Sequence, residues 1–252
     1  MKFLVGDIGN SEIKICLLDY NYKIIKKICF ETNKIKQKNF LKRKIKLLIK
    51  SYEITAPIFF SSVVPSAYKK IKKIFFKNFQ ISCKELKQID FNKIIKTKVN
   101  KKQIGSDRIA NAIGAFYFYK SNCIIIDFGT ATTFDVVIKG VYKGGIIAPG
   151  LKLSLNTLVK KAELIPSISL KKVKKVIGNN TINALRSGFF WGYTGLIYNI
   201  VKLIKKESNC KFMIILTGGF SHLFKNSLKS KALIDSDITI KGLIKILKTK
   251  II

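Results

Sequence analysis

Two stretches of this chain, 120 residues apart, carry one short pattern. The first reads LVGDIGNSEIKICLLD (4–19), with Asp7, Gly9, Asn10 and Ser11; the second reads IIIDFGTATTFDVVIKG (124–140), with Asp127, Gly129, Thr130, Thr132 and Thr133. In each an apolar strand runs into Asp-x-Gly, then small polar residues, then another apolar strand. Glycine permits a tight turn and lets the backbone approach a ligand closely. Amide and hydroxyl groups around such a turn donate to phosphate oxygens, and the aspartate can hold a cation or its bound water. A buried carboxylate without a partner is costly, so two at matching strand ends make sense if cations and phosphates meet them. The pattern therefore predicts a duplicated α/β unit whose two hairpins face a phosphate-handling cleft.

The length of 252 residues and the 48% apolar content suit two modest α/β halves with real cores. The elements predicted around the hairpins are a strand over 23–30, a basic amphipathic helix over 38–51, a buried strand over 58–64 ended by Pro65, and helices over 66–77 and 105–120. The lysine-rich stretch 85–103 reads as loop and short strand. In the second half, strands over 123–128, 133–140 and 141–150 form a meander, with GGIIAPG (144–150) as a tight loop. Helices follow over 151–163 and 180–206, then a strand over 211–220, a helix over 222–233, and a closing strand or helix at TIKGLIKIL.

The charge excludes less than it suggests. Lys and Arg number 48 against 14 Asp and Glu, a net charge of +34, which would ordinarily point to a polyanion. Yet the lysines run along the whole chain, and Arg43, Arg108 and Arg186 are its only arginines. A dedicated nucleic-acid surface uses arginine forks on phosphates and bases, so no dedicated nucleic-acid partner is expected. Five cysteines without a CxxC pair fit a reducing, cytoplasmic setting, with Cys16 and Cys123 as buried small hydrophobes. No apolar run reaches membrane-spanning length and no signal-peptide segment opens the chain. Neither GxGxxG nor GxxxxGK[ST] occurs, which disfavours a dinucleotide fold and a P-loop.

Gly105-Ser106-Asp107-Arg108 opens a helix. An aspartate there caps a helix or complements its dipole. Paired with one of only three arginines, it could also orient a hydroxyl while Arg108 holds an acid. TGG (217–219) lets the chain pass close to a bulky ligand, whereas His222 and Trp191 read as structural, exposed or packing residues.

With these residues in place, the chain closely resembles the type III pantothenate kinases of the actin/Hsp70/sugar-kinase superfamily. The matching stretches are GDIGNSEIK (6–14), SSVVP (61–65), GSDRIANA (105–112), IDFGTATTFDVV (126–137), GGIIAPG, IGNNTINALRSGFFWGYTGLI (177–197) and LTGG (216–219). The resemblance implies two actin-like (ribonuclease H-like) halves, 1–115 and 116–252, around a central ATP and substrate cleft. It implies transfer of the ATP γ-phosphoryl to pantothenate, the first step of coenzyme A synthesis, by a homodimer whose substrate site lies partly at its interface. Asp107 would then be the base. Gly105, Ser106, Arg108 and Thr181 would hold pantothenate. Asp7, Ile8, Gly9, Asn10, Ser11, Glu12, Ile13 and Lys14 would wrap the ATP phosphates, with Asp7 near Mg²⁺. Thr130 would contact ATP, and Asp127 would bind a monovalent cation, K⁺ or NH₄⁺. Three departures stand out: Ser11 for the usual Thr; Lys98 near a usual aromatic; and Lys101 and Gln103 for the proline and glutamate before the GxDR motif. The competing class is a regulatory protein on the same fold, against which the retention of Asp7, Asp107, Arg108, Asp127 and Thr181 weighs.

Overall fold

The computed structural model describes residues 2–49, 52, 54, 56–100, 102–228 and 231–249. Lys101, one of the departures above, lies outside them. The chain forms two compact units. The first takes residues 1–120, 140–142 and 237–252, and the second takes 121–139 and 143–236.

In the first unit β1 (Phe3–Ile8) and β2 (Glu12–Leu18) form the first Asp-x-Gly hairpin, and β3 (Ile24–Glu31) extends the meander. Helix α1 (Phe40–Ile49) buries Leu41, Ile45 and Leu48, the spacing that puts one apolar stripe on a helix. Strand β4 (Ile58–Ser62) leads to α2 (Pro65–Phe79), where Pro65 occupies the first helical turn and costs no hydrogen bond there. Ala67, Ile71 and Phe75 form the buried face of α2. Strand β5 (Cys83–Glu85) closes a five-stranded sheet of order β3-β2-β1-β4-β5. Two short 3₁₀ turns and β6 (Lys96–Thr97) lead to α3 (Ser106–Tyr119).

The second unit repeats the plan. Strands β7 (Cys123–Phe128), β8 (Ala131–Ile138) and β9 (Val141–Pro149) form the second meander. The first residues of β9, Val141 and Tyr142, are counted with the first unit, where they pair in parallel with β6. Helices α4 (Leu151–Lys161) and α5 (Thr181–Ser208) follow, then β10 (Met213–Gly218), α6 (Ser221–Phe224) and β11 (Ala232–Ile234). The sheet has six strands in the order β11-β10-β7-β8-β9-β6. Apart from the edge strand β6, the order repeats that of the first sheet: the aspartate-bearing strand has an antiparallel neighbour, β2 or β8, on one side and two successive parallel strands on the other. Each unit has its own core, one around Ile8, Phe60 and Phe75, the other around Phe134, Phe190 and Phe224.

Helix α7 (Ile238–Lys248) belongs to the first unit and packs on α3. The contact is backbone-close. A Cβ on Gly242 would collide with the carbonyl of Ala110, and one on Gly114 would strike the carbonyl of Ile238.

Three expectations need correction. The stretch 222–233 is not one helix, because α6 lasts a single turn and residues 232–234 are a strand. GGIIAPG is not a loop; Gly144–Pro149 lies inside β9. Thr132 sits in β8, ahead of the predicted strand start at Thr133, and not in the turn.

Candidate active site

The two aspartates occupy equivalent places. β1 and β7 share one burial pattern, four buried residues, a half-buried Asp, then a buried residue. Asp7 is paired across β2 with Lys14 and across β4 with Ser61. Asp127 is paired across β8 with Thr133 and across β10 with Thr217. Directly opposed residues project from the same sheet face. Each carboxylate is therefore flanked by a longer or hydroxylated side chain on one strand and a hydroxyl on the other.

Around Asp7 the hairpin is closed by the Gly9 N–H donating to the Glu12 carbonyl at 2.9 Å. The Thr32 hydroxyl donates to the Gly9 carbonyl at 2.7 Å and braces the turn from outside. Asn10, Ser11 and Glu12 are exposed, Gly9 is half-buried, and Ile8 and Ile13 are fully buried in the core. Of the predicted phosphate loop, Ile8 and Ile13 can thus offer only main-chain groups. Ser61 is fully buried, and its Oγ has no hydrogen-bond partner among the described residues. A buried hydroxyl in that state beside a carboxylate suits a cation-bound water or a phosphate oxygen. Lys14 is mostly buried, and its ammonium meets Asp237 at 3.3 Å; Lys27 reaches the same carboxylate at 2.9 Å. Burial of Asp237 works to raise its pKa, but the Lys27 hydrogen bond and both lysine charges outweigh it and hold the carboxyl low.

Asp107 stands in the first turn of α3, half-buried, with Oδ1 accepting the Arg108 N–H at 2.8 Å. Its side chain folds back over Gly105, where a Cβ would strike Asp107 Oδ1 and displace the carboxylate. Burial pushes the Asp107 carboxyl up from the ordinary 3.8, while Arg108 and more distantly Lys87 hold it partly down. A carboxylate raised in this way is a better proton acceptor than a solvated one. Arg108 is half-buried. Ser106 is fully buried, and its hydroxyl donates to Glu85, a residue the sequence reading left unassigned. No motif points to Glu85; only the fold brings it to the start of α3. Lys98 and Gln103 are exposed, and the Gln103 N–H donates to the Asn100 carbonyl at 3.1 Å.

In the second unit Gly129 and Thr130 are exposed at the turn tip, with the Gly129 N–H on the Ala131 carbonyl at 3.1 Å. Gly218 has φ +81°, the left-handed region that favours glycine, and a Cβ there would lie 2.6 Å from Asp127 Oδ1. The glycine thus lets β10 end in close contact with this carboxylate and the Phe128 backbone. Among the described residues no three His, Cys, Asp or Glu side chains cluster for a metal. A cation here would take one carboxylate and complete its shell with carbonyls, water or phosphate, as Mg²⁺ does in phosphoryl-transfer sites. Thr181 is exposed at the first position of α5, whose cap is Asn180 accepting the Asn183 N–H at 2.9 Å. It borders a largely apolar groove of about 810 Å³ with Pro149, Ser154, Phe189 and Tyr193. His222 is exposed, and Trp191 stands edge-on to Phe190.

The sequence model of the type III pantothenate kinase family matches residues 3–203. A type III pantothenate kinase of Pelagibacter ubique (strain HTCC1062) is 57% identical over 242 residues, covering 96% of this chain and 97% of that one. Among solved structures, a Campylobacter jejuni protein described as a candidate Baf family transcriptional activator superposes with TM-score 0.63 at 19% identity, covering 98% of each chain. A Sinorhizobium meliloti protein described as a candidate 2-dehydro-3-deoxygalactonokinase reaches 0.62 at 8% identity, again over 98% of each. At such identities the two structures speak for the fold alone, and they agree with the α/β architecture of sugar kinases and actin-like ATPases.

Proposed function

This chain belongs to the type III pantothenate kinases and phosphorylates pantothenate with ATP, the first step of coenzyme A synthesis, and from that premise we propose which residues carry the reaction. Phosphoryl transfer leaves the protein little covalent work; it positions the reactants and stabilises charge. Asp107 accepts or orients the proton of the pantothenate hydroxyl, and Arg108 pairs with the substrate carboxylate. Gly105 lets the Asp107 side chain fold back, and Ser106 contributes through its main chain, because its hydroxyl is committed to Glu85. Thr181, beside the groove on α5, meets pantothenate.

The hairpin Asp7–Lys14 holds the ATP phosphates through the amides of Asn10, Ser11 and Glu12, with Gly9 closing the turn through its own N–H and Ile8 and Ile13 anchoring the loop in the core. The reaction uses a divalent metal with ATP. We assign it as Mg²⁺, held by Asp7 beside Ser61, where it neutralises phosphate charge. Thr130 contacts ATP, and Asp127, half-buried in β7, holds K⁺ or NH₄⁺.

A homodimer is supported by the bare face of the second unit. Ile147, Leu153, Leu164, Ile177, Ile182 and Trp191 are all more than a third exposed, and a Cβ on Gly188, Gly192 or Gly195 of α5 would touch nothing. Where such side chains adjoin, exposed apolar surface marks an interface. No helix among the described residues is long and apolar enough to cross a membrane, and five free cysteines suit a cytoplasmic location.

The observation that carries this reading is the duplicated register: two half-buried aspartates at the same place in two sheets that share a five-strand plan. The test is ADP release by purified protein with ATP, Mg²⁺ and K⁺, with and without pantothenate. Pantothenate-dependent release is expected. ADP release that ignores pantothenate would refute the site assignment and favour a regulatory ATPase on this fold.

A further inference from the structure

Glu85 uses both carboxylate oxygens. Oε2 accepts the Lys87 N–H at 2.7 Å, while the Glu85 N–H donates to Gln88 Oε1 at 2.9 Å, which closes a capping box at the end of β5. Oε1 accepts the hydroxyl of Ser106, 21 residues further on. Ser106 is fully buried, is the first residue of α3, and directly precedes Asp107. A charge-assisted hydrogen bond of this type is about twice as strong as a neutral one.

The connection reaches further. Glu85 is paired in parallel with Phe60 on β4, and Phe60 is paired with Gly6 on β1, next to Asp7. Gly6 admits the Phe60 ring so closely that a Cβ would collide with it. One row of residues, Gly6, Phe60 and Glu85, thus crosses the sheet and ends on the hydroxyl that starts α3. In the loop ahead of α3, Gln103 is exposed and makes a local turn bond through its main chain.

We propose that Glu85 is a positioning residue for phosphoryl transfer. Through Ser106 it ties the start of α3 to the sheet that carries Asp7, and so sets where the Asp107 carboxylate stands. The inference rests on the reading of Asp107 as the base. In a reaction limited by positioning, small displacements of a catalytic group are expensive, up to roughly 100-fold per ångström.

The experiment compares Glu85→Ala, Ser106→Ala, the double variant, and each single change in an Asp107→Asn background, with kcat, KM for ATP and the thermal midpoint measured for all. Each single change should lower kcat roughly tenfold while KM for ATP stays within about twofold. The double variant should be no slower than the slower single, as expected of two ends of one hydrogen bond. In the Asp107→Asn background neither change should slow the enzyme further. Losses that multiply in the double variant, persist in the Asp107→Asn background, or appear only as a lower thermal midpoint with kcat unchanged would overturn the proposal. Normal turnover of Asp107→Asn itself would instead remove the base assignment, and the proposal with it.

Discussion

Asp107→Asn separates the catalytic role of this carboxylate from its structural one, because the two effects carry opposite signs. The amide keeps the shape and an oxygen to accept the Arg108 N–H, which lies 2.8 Å from Asp107 Oδ1, so the helix start should survive. What disappears is the negative proton acceptor. General bases contribute roughly 10²–10⁴-fold, and at about 1.36 kcal/mol per decade the lower bound is about 2.7 kcal/mol of transition-state stabilisation. Stability moves the other way. Burial raises the folded-state pKa of Asp107 above the ordinary 3.8. The fold thus prefers the protonated acid, and the stability gained from that preference is present below the unfolded value and lost as pH rises through the folded one. At pH 7 the ionised Asp107 burdens the fold, and the neutral amide of the variant does not. The variant should therefore turn over at least roughly 10²-fold more slowly in an ADP-release assay, yet melt above the wild type at pH 7. That melting gap should close as pH falls below about 4, where Asp107 becomes protonated in both the folded and the unfolded chain. The acid limb of the wild-type kcat profile should lie above 3.8. A variant within about threefold of wild-type turnover would refute the base assignment. One that melts below the wild type at pH 7 would refute the account of burial.

Asp127→Asn should abolish activation by K⁺ or NH₄⁺ at constant ionic strength, and equal wild-type rates in Na⁺, K⁺ and NH₄⁺ would remove the cation from that site. Gly242→Ala forces a methyl into the Ala110 carbonyl and should cost roughly 1–3 kcal/mol, read as a lower thermal midpoint; an unchanged midpoint would mean that α7 and α3 are not packed this closely. Gly192 is exposed and a Cβ there meets nothing within 4 Å, so Gly192→Lys should leave the fold intact and convert a dimer to a monomer in light scattering; a persistent dimer would move the interface off α5.

Most of the fold could be read from the residues, because the signals were local. The Asp-x-Gly hairpins, the Pro65 helix start and the α1 stripe each depend on a few neighbours. The readings that failed depend on distant contacts. Residues 232–234 look helical alone, but they add a parallel strand beside Ile214–Leu216 of β10. Gly144–Pro149 has the composition of a loop, yet it lies within the third strand of the meander. The site was legible in the same uneven way. Asp7, Asp107 and Asp127 announce themselves by motif, whereas Glu85 stands in a lysine-rich stretch with no pattern, and its relation to Ser106 exists only once β5 has paired with β4.

The surplus of lysine bears on how this site neutralises phosphate. With 48 cationic side chains against 14 carboxylates, most lysines have no acid to pair with, whatever the geometry. They remain solvated, and at physiological salt a solvated charge is largely screened beyond roughly 8 Å. Such a field speeds the arrival of ATP, an effect on association rate that weakens as salt is added. It does little at the reacting phosphorus, where charge must be met at contact distance and in a lower dielectric. Lys14 differs from the bulk: it is mostly buried, is paired across the strand with Asp7, and is held by Asp237. Lys27 shares that carboxylate at 2.9 Å, so Asp237 keeps a counter-charge even if Lys14 turns to a phosphate. Raising salt should therefore weaken the capture of ATP far more than the turnover of the bound complex, and a kcat that fell in step with kcat/KM would place the general surface charge inside the chemistry after all.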